Sequence, residues 1–316
     1  MSSASLRIDA GVRVGPYLVE RRLGQTAIGT VYVARHASGE RVVLRVVQRD
    51  AATSAIRARL KREARAFANV DHPGLERVHG IGEQEGMFWV ALGFVRGTPL
   101  ERLLAERGPL SIDAALRHTV QVAEALGAAH DAGVLHREIA PSKLLLTPDG
   151  GIVLVGFGIA PRGDRTMQAS AGDLSAYAAP EQIEHGLADE RSDLWAVGCV
   201  LYEMVVGAPP FGRGGGGATA AAILRDEPAF PTHVPSAIVH IVNACVRKNS
   251  FARIAASREL LALLRDAVGD PRCRPGSVSE RPSSRSSVPS ALLHSGTIPP
   301  PPRLPSMPFR PSSGRG

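Results

Sequence analysis

Ionic and proton-transfer chemistry is most concentrated in the stretch Leu135-His136-Arg137-Glu138-Ile139-Ala140-Pro141-Ser142-Lys143-Leu144-Leu145-Leu146. Glu138 supplies a carboxylate able to accept a proton, and Lys143, five residues later, supplies a fixed positive charge. The plainer expectation for the two is a salt bridge between Lys143 and Glu138 that fills the loop. A second candidate is the glycine-bearing turn Leu23-Gly24-Gln25-Thr26-Ala27-Ile28-Gly29-Thr30-Val31-Tyr32. Taken alone, that turn reads as an ordinary hairpin. Cys199, Cys245 and Cys273 are odd in number, widely spaced and free of any C-x-x-C pair, so neither a disulfide framework nor a zinc site is indicated, and no metal ligands are assigned.

Positioning these groups falls to elements legible from apolar periodicity. Val14 to Val47 reads as three strands joined by turns, with Val31 and Val33 alternating and the run Val42 to Val47 broken by Arg45. Ala55 to Asn69 has helical composition and is stopped by Asp71-His72-Pro73-Gly74. Strands are expected at Leu75 to Gly82 and Met87 to Val95, and a short helix at Thr98 to Glu106. Ser111 is an N-cap for a longer helix whose Ile112, Leu116, Val120, Ala123 and Leu126 form a core face, with a structural His130 near its end. A strand at Ile152 to Val155, a flexible loop at Gly212 to Gly217 and a last helix at Ser257 to Val268 complete the expectation.

The ordered set of motifs resembles the eukaryotic-type, bacterial Hanks-type serine/threonine protein kinase family across about residues 12–268. His136 and Arg137 match the H-R-D-L-x-x-x-N loop, Gly24, Gly29 and Val31 match the glycine-rich loop, and Ala179-Pro180-Glu181 is an intact A-P-E. Asp193-Leu194-Trp195-Ala196-Val197-Gly198 is similar to the D-x-W-x-x-G start of the central helix of the large lobe. The resemblance implies an α+β, bilobal protein-kinase-like fold. Its small β-rich N-lobe, with one main helix, would span about 12–92, its hinge 93–96, and its larger, mostly α-helical C-lobe 97–268. It also implies that Gly24, Gly29, Val31, Val43, Arg45, Leu92 and Leu145 form a nucleotide pocket with Leu92 at its back. Further implications are that Glu63 pairs with Arg45, Phe67 packs towards the lobe interface, Asp193 holds the loop backbone, and Arg253 pairs with Glu181.

The departures from the family pattern fall on one side. Arg45 stands for the strand lysine, Glu138 for the catalytic aspartate, Ala140 for the lysine two residues on, Lys143 for the metal-binding asparagine, and Gly156 for the aspartate of D-F-G in Gly156-Phe157-Gly158. Thr26 replaces the middle glycine, and Val43 adds methyl groups where an adenine ring would lie, an overpacking worth ~1–3 kcal/mol. Losing Lewis-acid stabilisation of ~4–6 kcal/mol slows phosphoryl transfer about 10³–10⁴-fold. The resemblance therefore implies a catalytically impaired pseudokinase that serves as a regulatory or scaffolding module in signalling. Its partner would be a protein, another kinase or its substrate. No cofactor would be required, and any ATP binding would be weak or independent of metal. The alternative is a weak or atypical ATP-dependent serine/threonine kinase.

Net charge adds one constraint. Of the formal +7, seven arginines against two acids fall after residue 268, leaving 30 basic and 28 acidic residues before it. The domain is nearly neutral, and a disordered basic tail of Pro, Ser and Arg is expected at 269–316, as is a flexible N-terminus at 1–11. Phe309 is the tail's lone aromatic, so a specific nucleic-acid partner is not expected. The longest apolar stretch, Leu194 to Val206, contains Glu203 and is too short to span a bilayer, and a cytoplasmic location is expected.

Overall fold

The computed structural model describes residues 8–26, 29–47, 53–157, 175–212, 216–270 and 273. Gly158, the loop residues Thr166 and Ser170, and nearly all of the tail lie outside the described residues.

Six strands form one antiparallel sheet: β1 (Arg13–Val14), β2 (Tyr17–Thr26), β3 (Gly29–His36), β4 (Arg41–Val47), β5 (Val78–Gln84) and β6 (Met87–Gly93), in the order β1-β2-β3-β4-β6-β5. The period of two along β4 decides which residues can meet a ligand. Val42, Leu44 and Val46 point into a small outer core with Tyr17, Tyr32, Ala34, Trp89 and Ala91. Val43 and Arg45 therefore occupy the other face, as Val31 does on β3. Gly29 permits the close approach of β3 to β4, because a Cβ there would lie 2.1 Å from the Val46 carbonyl oxygen.

Helix α1 (Ser54–Phe67) starts where Thr53 Oγ1 accepts the Ile56 N–H at 3.3 Å, and buries Leu60, Ala64 and Phe67, one stripe at helical spacing. The second lobe is built from α2 (Leu100–Arg107), α3 (Ile112–Asp131), α4 (Pro180–His185), α5 (Glu190–Val206), α6 (Gly216–Arg225), α7 (Ser236–Cys245) and α8 (Ser257–Gly269). A small sheet of β7 (Thr98–Pro99), β8 (Leu144–Leu146) and β9 (Ile152–Leu154) carries the loop residues at its ends. Ser111 caps α3 as expected, its Oγ accepting the Ala114 N–H at 3.3 Å. One continuous core runs from Leu60 and Phe67 of α1 through Leu116 and Leu126 of α3 to Leu260 of α8.

Helix α5 is buried almost all round, the behaviour of an apolar helix at the centre of a lobe. The Gly198 backbone lies against α7, where an added Cβ would sit 2.4 Å from Cys245 Cβ. One boundary differs from expectation. Gly216 and Gly217 are the first residues of α6, because the Ala-rich run after them buries Thr219 and Ile223 and carries the helix back over its weak start. The β-rich lobe with one main helix and the larger helical lobe match the bilobal α+β architecture expected from the sequence. No described helix is long and apolar enough to cross a membrane.

Candidate functional site

The loop carrying Glu138 is held from below by Asp193, in the first turn of α5. This carboxylate is 1% exposed and accepts the His136 N–H at 2.8 Å and the Arg137 N–H at 2.6 Å, while His130 Nε2 lies 2.9 Å away. Arg137 has a left-handed backbone (φ +72°), a conformation costing a non-glycine residue about 1 kcal/mol or more, and it is fixed by this anchor and by Gln182 Nε2 donating to its carbonyl at 3.0 Å. His136 is held through its ring as well. Its Nδ1 accepts the Glu138 N–H at 3.2 Å and its Nε2 donates to the Val155 carbonyl at 3.1 Å, a pattern that only the neutral Nε2–H imidazole satisfies.

Burial pushes the His136 imidazole down from 6.5 to about 4. Between pH 6.5 and 4 the unfolded chain binds a proton that the folded chain does not, so stability falls as pH falls through that window. About 2 kcal/mol should be lost between pH 7 and 5. Urea unfolding at both values tests this, because His136→Gln should remove most of the difference, and an unchanged difference in that variant would exclude His136 as its source.

The expected pair between Arg45 and Glu63 is not formed. Glu63 instead receives both arms of the Arg137 guanidinium, Nη1 to Oε2 and Nη2 to Oε1, each at 2.8 Å. Arg137 is 3% exposed in its side chain and takes the carboxylate in the planar fork that arginine favours. Arg45 turns the other way. Its Nη1 donates to the carbonyls of Gly156 and Phe157, each at 3.2 Å, and its Nη2 lies 3.8 Å from Glu76 Oε1. Glu76, 4% exposed, also accepts the N–H groups of Gly156 (2.6 Å) and Phe157 (3.2 Å), so it neutralises Arg45 and braces the Gly156-Phe157 backbone. Sequence reasoning missed Glu76. An acid two residues before a half-buried strand is a local signal, but nothing in its spacing ties it to Arg45.

Phe67 stacks on Phe157 at 4.7 Å, and His136 meets the same ring edge-on at 4.6 Å, which joins α1 to the loop across the lobe interface. Arg253 gives Glu181 the expected pair, bidentate at 2.8 and 3.0 Å, and Ser192 Oγ, a partner not expected from the sequence, donates to the same carboxylate at 2.6 Å.

Between the lobes lies a cavity of about 560 Å³. Leu23, Val31, Val43 and Leu145 line its apolar part, Gly93 to Val95 its edge, and Arg45, Glu76, Glu138, Lys143 and Gly156 its polar end. Of the expected pocket residues, Gly24, Val31, Val43, Arg45 and Leu145 line it. Leu92 does not, being 1% exposed within the core, and Gly29 serves the strand contact already described.

The expected salt bridge between Lys143 and Glu138 is absent as well. A 3₁₀ turn over Pro141–Lys143 and the bond from the Val155 N–H to the Lys143 carbonyl (2.9 Å) bring the lysine beside Gly156, while Glu138 stays exposed. Gly156 has φ +112°, and a Cβ there would lie 3.3 Å from Lys143 Cδ, 3.4 Å from His136 Nε2 and 3.5 Å from Arg45 Nη2. The place of an acid side chain is thus filled by a lysine stem and bordered by a guanidinium. A magnesium ion held in the manner of the D-F-G motif does not fit these residues, since it would meet two cations where it needs carboxylates. Among the described residues no group of three or more His, Cys, Asp or Glu is disposed to hold a metal.

A family model described as protein kinase domain matches residues 17–262. Curated relatives include the serine/threonine-protein kinase PknH of Mycobacterium tuberculosis, 32% identical over 270 residues that cover 83% of this chain and 43% of the relative. PknD of the same organism is 33% identical over 270 residues, covering 82% and 41%, and PkaA of Streptomyces coelicolor is 34% identical over 259 residues, covering 76% and 48%. The chain spans less than half the length of these relatives.

Proposed function

Because the chain belongs to the protein kinase family, we propose that it is a pseudokinase: a kinase-like domain that acts as a regulatory or scaffolding module in cytoplasmic signalling and does not transfer phosphate. The observation that carries this reading is the filled place beside Gly156, where Lys143 and Arg45 stand in a position that phosphoryl transfer reserves for a metal and its acid ligand. A Gly156 side chain would need both new space and a backbone that L-residues rarely adopt, so the loss is built into the packing around it.

The shape of the domain does not depend on those lost groups. Glu63–Arg137, Phe67–Phe157–His136 and the Asp193 anchor hold α1, the loop and α5 together through contacts that involve none of the replaced groups. Such a frame offers a partner protein a preset surface. A kinase or a kinase substrate is the partner proposed, on the strength of family membership.

A second reading, a weak or atypical ATP-dependent serine/threonine kinase, draws on Glu138, whose exposed carboxylate lines the cavity and remains a competent proton acceptor. The two separate in a transfer assay. The full chain is incubated with γ-labelled ATP and magnesium or manganese, with and without a serine/threonine peptide mixture, alongside Glu138→Ala. The expected result is no label above that of the variant. Incorporation that requires Glu138 would replace the pseudokinase reading with the second.

A further inference from the structure

We infer that Lys143 and Arg45 form a two-cation clamp that takes the polyphosphate of a nucleotide directly, with no divalent metal between them. This rests on the reading of the interlobe cavity as belonging to a non-transferring kinase-like domain, and it names the ligand and the binding mode of that cavity.

Three observations converge. First, the two side chains approach one point: Lys143 Cδ and Arg45 Nη2 lie 3.3 and 3.5 Å from where a Gly156 Cβ would sit. Second, their charges are unequally spent. Arg45 is neutralised by buried Glu76, and its guanidinium is held in a fixed orientation by the Gly156 and Phe157 carbonyls, leaving its Nε buried without a partner. Lys143 makes no hydrogen bond or ion pair among the described residues, although it lies partly buried on the cavity wall. An ammonium at the polar end of a cavity with no ion pair of its own favours an anionic ligand. Third, the rest of the cavity suits a nucleoside. Its other end is an apolar slot between Val31, Val43 and Leu145, and the backbone of Phe94 and Val95, which lies outside β6, borders that slot without a backbone–backbone hydrogen bond among the described residues.

The chemistry inverts the usual role of the metal. Magnesium bound to a polyphosphate removes much of the negative charge that the clamp recognises and brings a further positive charge towards Lys143. The free nucleotide is the matched ligand, and magnesium leaves its affinity unchanged or lowers it.

Calorimetric titration of the full chain in excess EDTA with ATP, with adenosine and with inorganic tripolyphosphate tests the clamp. ATP should bind, and adenosine and tripolyphosphate should each bind at least tenfold more weakly, since each engages one end of the cavity. Lys143→Met should weaken ATP about 10- to 100-fold and leave adenosine unchanged, the loss of a charge-assisted contact. The Lys143 side chain makes no hydrogen bond or ion pair among the described residues, so the variant should remain folded by circular dichroism; Lys143→Glu should abolish ATP binding in EDTA. The clamp is excluded if ATP fails to bind without metal, if Lys143→Met binds ATP as the parent does, or if tripolyphosphate matches ATP, which would mark a general anion site. None of these results restores phosphoryl transfer, so the pseudokinase reading stands or falls separately on the label-transfer assay.

Discussion

Asp193→Ala should lower the stability of the domain by about 3–5 kcal/mol, a fall of roughly 6–20 °C in Tm for a domain of this size. The magnitude follows from what the carboxylate satisfies. Two backbone N–H groups, those of His136 and Arg137, lose their acceptor in a place from which water is excluded, at about 1–3 kcal/mol each, and His130 loses its partner in the same step. The left-handed backbone of Arg137 then keeps only the Gln182 bond to its carbonyl to offset its strain. Asp193→Asn should fall between parent and Ala, because one amide oxygen replaces two carboxylate oxygens. Thermal melting and urea unfolding measure both variants. A loss under about 1 kcal/mol for Asp193→Ala would mean that the loop is held from elsewhere.

The second large effect concerns the choice of partner by Glu63. Arg137→Ala leaves the Glu63 carboxylate, only 12% exposed, without its fork, and breaking a buried pair by removing one member costs about 3–5 kcal/mol. The sharper test is a pair of double-mutant cycles. Glu63 and Arg137 should show a coupling of about 1–3 kcal/mol, whereas Glu63 and Arg45 should be additive within about 0.5 kcal/mol. The reverse order would reinstate the strand-to-helix pair and free Arg137. The arrangement also explains why Arg45 can serve the cavity: with α1 bound to the loop through Arg137, the guanidinium on β4 is left to Glu76 and the Gly156-Phe157 carbonyls.

The parts of this molecule legible in its sequence are those in which a short motif and its target are both local or both buried by the same element. Asp193 opens an apolar helix and can face only the loop that precedes the small sheet. Arg253 meets Glu181 because both sit at the ends of short elements, and the Arg253 guanidinium is seated 5.0 Å from the Trp195 ring. The alternation of β4 separates Val43 and Arg45 from the outer core.

Partner choice among several charges was not legible. Glu63 lies within reach of more than one arginine, and the winner is the one whose two Nη groups both reach it at 2.8 Å, while Arg59 stays at 3.9 Å, a matter of ångströms that spacing along the chain does not encode. Lys143 was expected to close on Glu138, but the 3₁₀ turn sends its stem under Gly156. Glu76 gave only a local signal and none of its partners, which are separated from it by 31, 80 and 81 residues. The site's frame is therefore a property of motifs, and its electrostatics a property of packing.

The central claim, that fixed cations have taken over the metal's place, is tested most directly by thermal melting of the full chain against ATP in EDTA and in magnesium or manganese. Stabilisation should follow RT ln(1 + [L]/Kd), so even modest affinity is visible at millimolar nucleotide. The predicted result is a saturable rise in Tm with ATP in EDTA that added metal does not enlarge. A rise that appears only when metal is present would contradict the account, because a metal would then be held in the place assigned to Lys143 and Arg45.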